Sequence, residues 1–162
     1  MTGASARPAS PPRLLVVSHS RTGSTSRLRD AIVAGATEAV GESDPAGVEV
    51  VALDATEADL DAVLAASAVV FATPARFGAL AGLTKDFLER IYPWFEEVPD
   101  IHPGMPWTAV VKGASDPSGA VRDLERILTG LRWRQVLPPV PVEVRVRDAE
   151  PAGGQRLELL LE

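Results

Sequence analysis

The sequence predicts a doubly wound α/β fold: a parallel sheet with helices on both faces. Two observations carry this. Short, continuous apolar runs alternate with segments whose apolar residues recur at helical spacing, in the order β-α-β-α-β-α-β-α-β. Strands buried on both faces read as such unbroken runs, and their alternation with helices marks crossover connections. The chain is also 162 residues long with 46% hydrophobic residues, enough for one domain with its own core. Residues 1–12, rich in Ala, Ser and Pro, read as a flexible tail with neither an apolar signal core nor a twin-arginine pair. Residues 13–162 read as a single domain.

Leu14-Leu15-Val16-Val17 is the first strand. Leu28, Ala31, Ile32, Ala36 and Ala39 follow at helical spacing, which predicts a helix over 25–40, before the polar loop around Gly41–Gly47. Val48 to Leu53 is the second strand. Residues 54–67 carry Leu60, Val63 and Leu64 on one face and are acidic early, as a helix N-terminus favours. Ala68 to Ala72 is the third strand, and Leu80, Leu83, Phe87, Leu88 and Ile91 mark a third helix ending near Tyr92-Pro93. Trp107 to Val111 is the fourth strand, and Val121, Leu124, Leu128 and Leu131 mark a fourth helix over 118–131. The last strand, Val136 to Val146, is interrupted by Pro138, Pro139 and Pro141, which confine it to an edge or make its first half a loop.

Composition excludes several kinds of function. Without cysteine there is no disulfide, thiolate metal site, iron–sulfur cluster or cysteine nucleophile. Sixteen basic and twenty-two acidic residues give a net charge of −6, unsuited to neutralising nucleic-acid phosphates. No stretch approaches the ~20 apolar residues of a membrane span. His19 and His102 stand without a His/Asp/Glu cluster, so no metal site is expected. The expectation is a cytoplasmic protein with no nucleic-acid or membrane partner.

In doubly wound sheets ligands sit beyond the carboxyl ends of the strands, which directs attention to three loops. The first, Ser18-His19-Ser20-Arg21-Thr22-Gly23-Ser24-Thr25, places five hydroxyls and a glycine at the turn that opens the first helix. Ser and Thr commonly cap helices, but this density exceeds what one cap needs. Helix-terminal amides and hydroxyls together suit a phosphate, with Gly23 permitting close approach. The loop is neither the dinucleotide G-x-G-x-x-G nor the nucleoside-triphosphate G-x-x-x-x-G-K-[ST]. The strands ending at Ser18 and Thr73 lack the acidic residues of a receiver domain, and no G-x-S-x-G elbow is present.

Ser20-Arg21-Thr22-Gly23-Ser24-Thr25 resembles the flavodoxin phosphate loop, [ST]-x-[ST]-G-x-[ST]. Thr73-Pro74-Ala75-Arg76-Phe77-Gly78-Ala79-Leu80-Ala81-Gly82 is similar to the T-P-[TA]-R-F-G-x-x-[SA]-G segment of the flavodoxin-like NAD(P)H:quinone oxidoreductases of the tryptophan-repressor-binding-protein type, and Lys85 to Arg90 resembles the helix that follows it. NADPH-dependent FMN reductases share this fold. The resemblance spans about residues 13–146 and implies a three-layer flavodoxin-like domain with a five-stranded parallel sheet of order 2-1-3-4-5.

The resemblance further implies FMN as cofactor. Its phosphate would be held by Ser20, Arg21, Thr22, Gly23, Ser24 and Thr25, with Arg21 free to point to solvent. Thr73, Pro74, Ala75, Arg76, Phe77 and Gly78 would lie along the isoalloxazine. Arg76 and Phe77 would be the side chains closest to the ring, with a core aromatic as the other reading of Phe77. In the third loop Gly113, Ser115 and Gly119 keep the Ser/Thr/Gly-rich pattern, and Gly113, Ala114 and Ser115 would reach the ring, whereas Lys112, Asp116 and Pro117 depart from the pattern, and Ser118 is a natural N-cap for the fourth helix. No catalytic side chain is implied, because the cofactor carries the chemistry.

The implied activity passes electrons from NAD(P)H to a quinone or other small acceptor. A flavodoxin-type electron carrier and a flavodoxin-fold protein that has lost FMN are the alternatives. After the last strand only a short Leu157–Glu162 segment follows, so a fifth helix is expected to be short or missing. Apolar surface would then be left open for a partner subunit in a homo-oligomer. Tyr92, Trp94 and Phe95 read as core or interface aromatics, or as a lid over the flavin. Trp133 reads as a helix-end anchor or a surface feature.

Overall fold

The computed structural model describes residues 11–43, 47–97 and 103–143. Strands β1 (Arg13–Ser18), β2 (Glu49–Asp54), β3 (Ala68–Arg76) and β5 (Pro106–Gly113) form a parallel sheet. Helices α1 (Ser24–Ser43), α2 (Leu60–Leu64), α3 (Gly82–Glu97) and α4 (Ser118–Gly130) connect them. The edge beyond β5 carries two short parallel strands, β6 (Arg134–Gln135) and β7 (Val140–Glu143), while β4 (Ala79–Leu80) pairs antiparallel with β3. The sheet order is β2-β1-β3-β5-β6. With the β4 hairpin set aside and β6 and β7 taken as one interrupted strand, this is the expected 2-1-3-4-5.

One face of the sheet holds the main core. Leu15, Val17, Val69, Phe71, Trp107, Ala109 and Val111 meet Val63 of α2, Phe87, Leu88 and Ile91 of α3, and Ala120, Leu124 and Leu128 of α4. Among the described side chains of α1 none enters that cluster; α1 packs on β1, β2 and β3 from the other face, where Val16 is fully buried. Its apolar residues Leu28, Ile32, Val33 and Ala36 are only half-buried, and on the same face of the sheet Val70 and Val110 are half-buried as well. The expected short or missing fifth helix falls on residues 144–162, outside the described residues.

Four elements differ from expectation, each for a local reason. The helix expected over 54–67 shrinks to one and a half turns because Asp54 forms a turn of its own. Its carboxylate accepts from the Thr56 amide and hydroxyl, an Asx arrangement that competes with a helix. Asp59 then caps α2 by accepting from the Ala62 amide. Helix α3 starts at Gly82, because Leu80 belongs to β4, and it runs through Pro93 to Glu97, past the expected stop. A proline inside a helix removes one i→i−4 bond and crowds the carbonyl four residues back, yet α3 continues one further turn beyond Pro93. The third strand continues four residues past Ala72, into the β4 hairpin. Finally, Pro138 and Pro139 split the last strand into β6 and β7, which pair with opposite ends of β5.

Trp133 is core: it is buried and its ring lies 6.4 Å from that of Phe71. It is placed by a Schellman motif at the end of α4, in which the Trp133 amide donates to the Leu128 carbonyl and the Arg132 amide to that of Thr129. The motif needs a left-handed residue, supplied by Arg132 at φ 58. Glycine adopts that conformation without a Cβ penalty. Arg132→Gly is therefore expected to stabilise the protein by about 0.5–1 kcal/mol, read as a higher denaturant midpoint at unchanged slope. A lower midpoint would show that the Arg132 side chain contributes more than its backbone costs.

Candidate functional site

The carboxyl ends of β1, β3 and β5 lie side by side, so the three loops of interest meet at one end of the sheet. The first begins at His19, which is buried and whose amide donates to the Ala72 carbonyl. Its Nδ1 lies 3.8 Å from an Asp54 carboxylate oxygen, beyond hydrogen-bond range. The Ser20 hydroxyl is also buried without a partner. Orphaned buried hydroxyls are rare and cost free energy. One at the mouth of a phosphate-type loop fits an anion that completes it.

Arg21, Thr22 and Gly23 are exposed, and Thr25 is buried. The Thr22 and Ser24 hydroxyls lie 3.3 Å apart. Gly23 takes φ 79, and nothing lies within 4 Å of where a Cβ would stand. The turn is thus open on its outer side. No acidic residue occupies the first turn of α1, leaving the positive end of the helix uncompensated. These features fit the phosphate of FMN. Ser18 is spent internally, its hydroxyl reaching the Leu53 carbonyl.

The second loop is a hairpin that the sequence did not reveal. Ala75 pairs with Leu80 and Arg76 with Ala79, leaving Phe77-Gly78 as a two-residue turn. Phe77 has φ 52 and Gly78 φ 74, the positive values a type I′ turn requires at both central positions. Asn, Asp or Gly is preferred at the first of these, and a bulky aromatic there is strained. Phe77 is also completely exposed, at 108% of its reference area. The core reading of Phe77 is therefore corrected: its ring faces outward from a backbone that disfavours it. Residues of this kind cluster at ligand sites.

Thr73 and Pro74 are buried, Ala75 is half-buried, and Arg76 and Gly78 are exposed. The Thr73 hydroxyl is committed to that of Thr84 on α3, at 2.7 Å, so only its backbone is open to a ligand. Helix α4 seats the hairpin. Asp123 accepts from the Leu80 amide at 3.1 Å, and a Cβ on Gly119 would stand 1.9 Å from the Gly78 carbonyl oxygen. Gly119, expected only as a glycine of the third loop, is a positioning residue, and so is Asp123, which sequence reading missed. Their i, i+4 spacing puts them on one face of α4, but without the hairpin in view that face had no target. A cleft of about 460 Å³ lined by Gly78, Ala79, Gly119, Arg122, Asp123 and Arg126 opens where hairpin and helix meet. None of the first loop's hydroxyls lines it.

The third loop folds back on itself. A Cβ on buried Gly113 would stand 2.4 Å from the Ser115 carbonyl oxygen, while Ala114 and Ser115 are exposed. Ser118 does not cap α4; its amide and hydroxyl both donate to Asp116, at 2.8 Å each. These bonds hold the Asp116 carboxyl below the usual carboxylate range. Tyr92 is exposed, which rules out the core reading of it, and the side chains of Trp94 and Phe95 lie outside the described residues. Among the described residues no cluster of His, Asp and Glu could hold a metal ion, and no helix is long and apolar enough to cross a membrane.

No protein-family model matches the sequence, and no curated protein matches it. Solved structures do. The chain is similar to an oxidoreductase from Corynebacterium diphtheriae, with a TM-score of 0.65 and 21% identity over 82% of each chain. A WrbA-like flavodoxin from Agrobacterium tumefaciens gives 0.62 and 22%, over 82% of this chain and 83% of that one. The two-electron reduced flavodoxin of Megasphaera elsdenii gives 0.64 and 15%, over 79% and 85%. The chain has the flavodoxin fold.

Proposed function

We propose that the protein is an FMN-dependent oxidoreductase that passes electrons from NAD(P)H to a quinone or another small acceptor. The observation that carries the reading is the buried, partnerless Ser20 hydroxyl in a hydroxyl-rich turn, with a hairpin on the neighbouring strand whose strained tip holds an aromatic in solvent. Bound FMN would supply a centre that accepts a hydride and gives up electrons.

In this reading Ser20, Thr22, Ser24 and Thr25, with the first amides of α1, hold the phosphate by hydrogen bonds to its charge. The backbone from Thr73 to Gly78 would line the ring, Phe77 would shield it from water, and the Arg76 guanidinium would favour the negative charge of a reduced flavin. Gly113, Ala114 and Ser115 would close the third side. The fold sets these groups on three adjacent strand ends, so positioning is the protein's contribution. No side-chain acid, base or nucleophile is needed.

The net charge of −6 favours a second reading, an FMN electron carrier that docks a basic redox protein. Turnover separates the two: the oxidoreductase oxidises NADH or NADPH with a small quinone in steady state, and the carrier does not. Phe77→Asn tests the hairpin's part. It is expected to stabilise the protein by about 0.5–1 kcal/mol by relieving the turn, and to weaken FMN binding several-fold by removing the ring. Stabilisation with unchanged FMN affinity would remove Phe77 from the site.

A further inference from the structure

Three cations gather at the carboxyl end of the sheet on the face that α1 covers. Lys112, near the end of β5, stands in register with Pro74 on β3 and Val142 on β7. Arg76 lies two residues beyond Pro74 on the same strand, so it leaves the sheet on the same face. Arg27 approaches from the first turn of α1, where its amide donates to the Gly23 carbonyl. Ion pairs among the described residues engage Arg13, Arg29, Lys85, Arg90, Arg126 and His19. None engages Arg27, Arg76 or Lys112. Burial is the largest cause that pushes the Lys112 ammonium below the ordinary lysine range, and the charges of Arg27 and Arg76 add to it in that order.

An acidic chain that collects three unpaired cations from three separate elements stabilises nothing by doing so. Like charges brought together repel, and the repulsion is offset only when an anion arrives. Two planar guanidinium forks and one compact ammonium match a phosphate group, which offers several acceptor oxygens and close to two negative charges. The phosphate of FMN already has the hydroxyls and helix amides of Ser20 to Thr25. Two of the three cations stand instead on β3 and β5, one and two strands away from that loop.

We propose that Arg27, Arg76 and Lys112 form a second anion subsite that takes the diphosphate group of a nucleotide co-substrate. The proposal rests on the flavin reading for what the co-substrate does, but its binding test stands apart from that reading.

The experiment is calorimetric titration of the FMN-saturated full chain with inorganic pyrophosphate and with adenosine diphosphate, at low ionic strength because exposed charges are screened by salt. Saturable binding of both is expected, weakened about tenfold in Lys112→Met and in Arg27→Gln, with the FMN dissociation constant of Lys112→Met within twofold of the parent's. The ligand-free Lys112→Met protein is expected to melt about 1–2 °C higher, because a cation raised in energy by burial and by its two neighbours is gone. The sign follows from the lowered folded-state value: below it Lys112 is charged in both states and the penalty is complete, and it is relieved as pH rises through that value.

Absence of pyrophosphate binding, binding unchanged in both variants, or pyrophosphate that displaces FMN in competition would overturn the proposal. The last outcome would assign the three cations to the cofactor's own phosphate. Exclusion of adenosine diphosphate where pyrophosphate binds would overturn the nucleotide assignment. If the protein takes no FMN, the same titration on the protein alone decides: variant-sensitive binding would keep the subsite while the flavin reading fails.

Discussion

Ser20→Ala is expected to weaken FMN binding by about 10- to 100-fold, the value of a hydrogen bond to a charged acceptor. The cofactor-free protein should be at least as stable as the parent. Both effects come from one atom. The Ser20 hydroxyl is buried and has no hydrogen-bond partner, so it costs folding free energy until a ligand completes it. Removing an unsatisfied buried hydroxyl abolishes that cost, about 1–3 kcal/mol at most. A hydroxyl that served only the fold would behave in the opposite way, and its loss would lower stability without touching the cofactor. Flavin-fluorescence titration and thermal melts of the same preparation read both effects. Riboflavin is the control, since it lacks the phosphate: its weaker affinity should not change. A less stable variant with unaltered FMN affinity would make the turn a helix cap.

Gly119→Ala carries the largest expected structural effect. The new methyl would stand 1.9 Å from the Gly78 carbonyl oxygen, and the clash is between backbone-anchored atoms on both sides. Neither can rotate away. Helix α4 would have to retreat or the β3–β4 hairpin would have to lift, breaking the Asp123 bond to the Leu80 amide. Overpacking of this kind and the lost bond together cost about 2–4 kcal/mol, which lowers the melting temperature of a chain of this length by about 5–15 °C. Because the hairpin carries Arg76, Phe77 and Gly78, FMN affinity should fall with it. An unchanged melting temperature would mean that hairpin and helix are not in contact.

What could be read from the sequence follows from how far each signal reaches along the chain. Buried strands announce themselves by composition alone, so Leu14–Val17, Ala68–Ala72 and Trp107–Val111 appear in the structure as β1, β3 and β5 with only their ends extended. Position beyond a strand end is equally local, which is why the loop from Ser20 to Thr25 could be singled out from its hydroxyls. Elements decided by side-chain hydrogen bonds were harder. Asp54 turning back on Thr56 shortened α2, and nothing in the apolar spacing of Leu60, Val63 and Leu64 records that competition.

The hairpin was hidden for a different reason. Type I′ turns are recognised by Asn-Gly or Asp-Gly, and Phe77-Gly78 carries only half of that signature. With the hairpin unseen, Gly119 read only as a loop glycine and Asp123 had no visible role. The grouping of Arg27, Arg76 and Lys112 arises only when α1, β3 and β5 are brought together, across 85 positions of sequence. Ser118 is a small case of the same limit. Its type suits a cap, yet Asp116 receives its amide and hydroxyl.

FMN held through the turn after β1 is the assignment on which the others depend. Its most direct test is titration of the purified protein with FMN, following the quenching of flavin fluorescence and the visible absorption of the product. Saturable one-to-one quenching at micromolar FMN is expected, weaker for riboflavin. A protein that is folded by circular dichroism, leaves FMN fluorescence unchanged and stays colourless would have no FMN site in this turn.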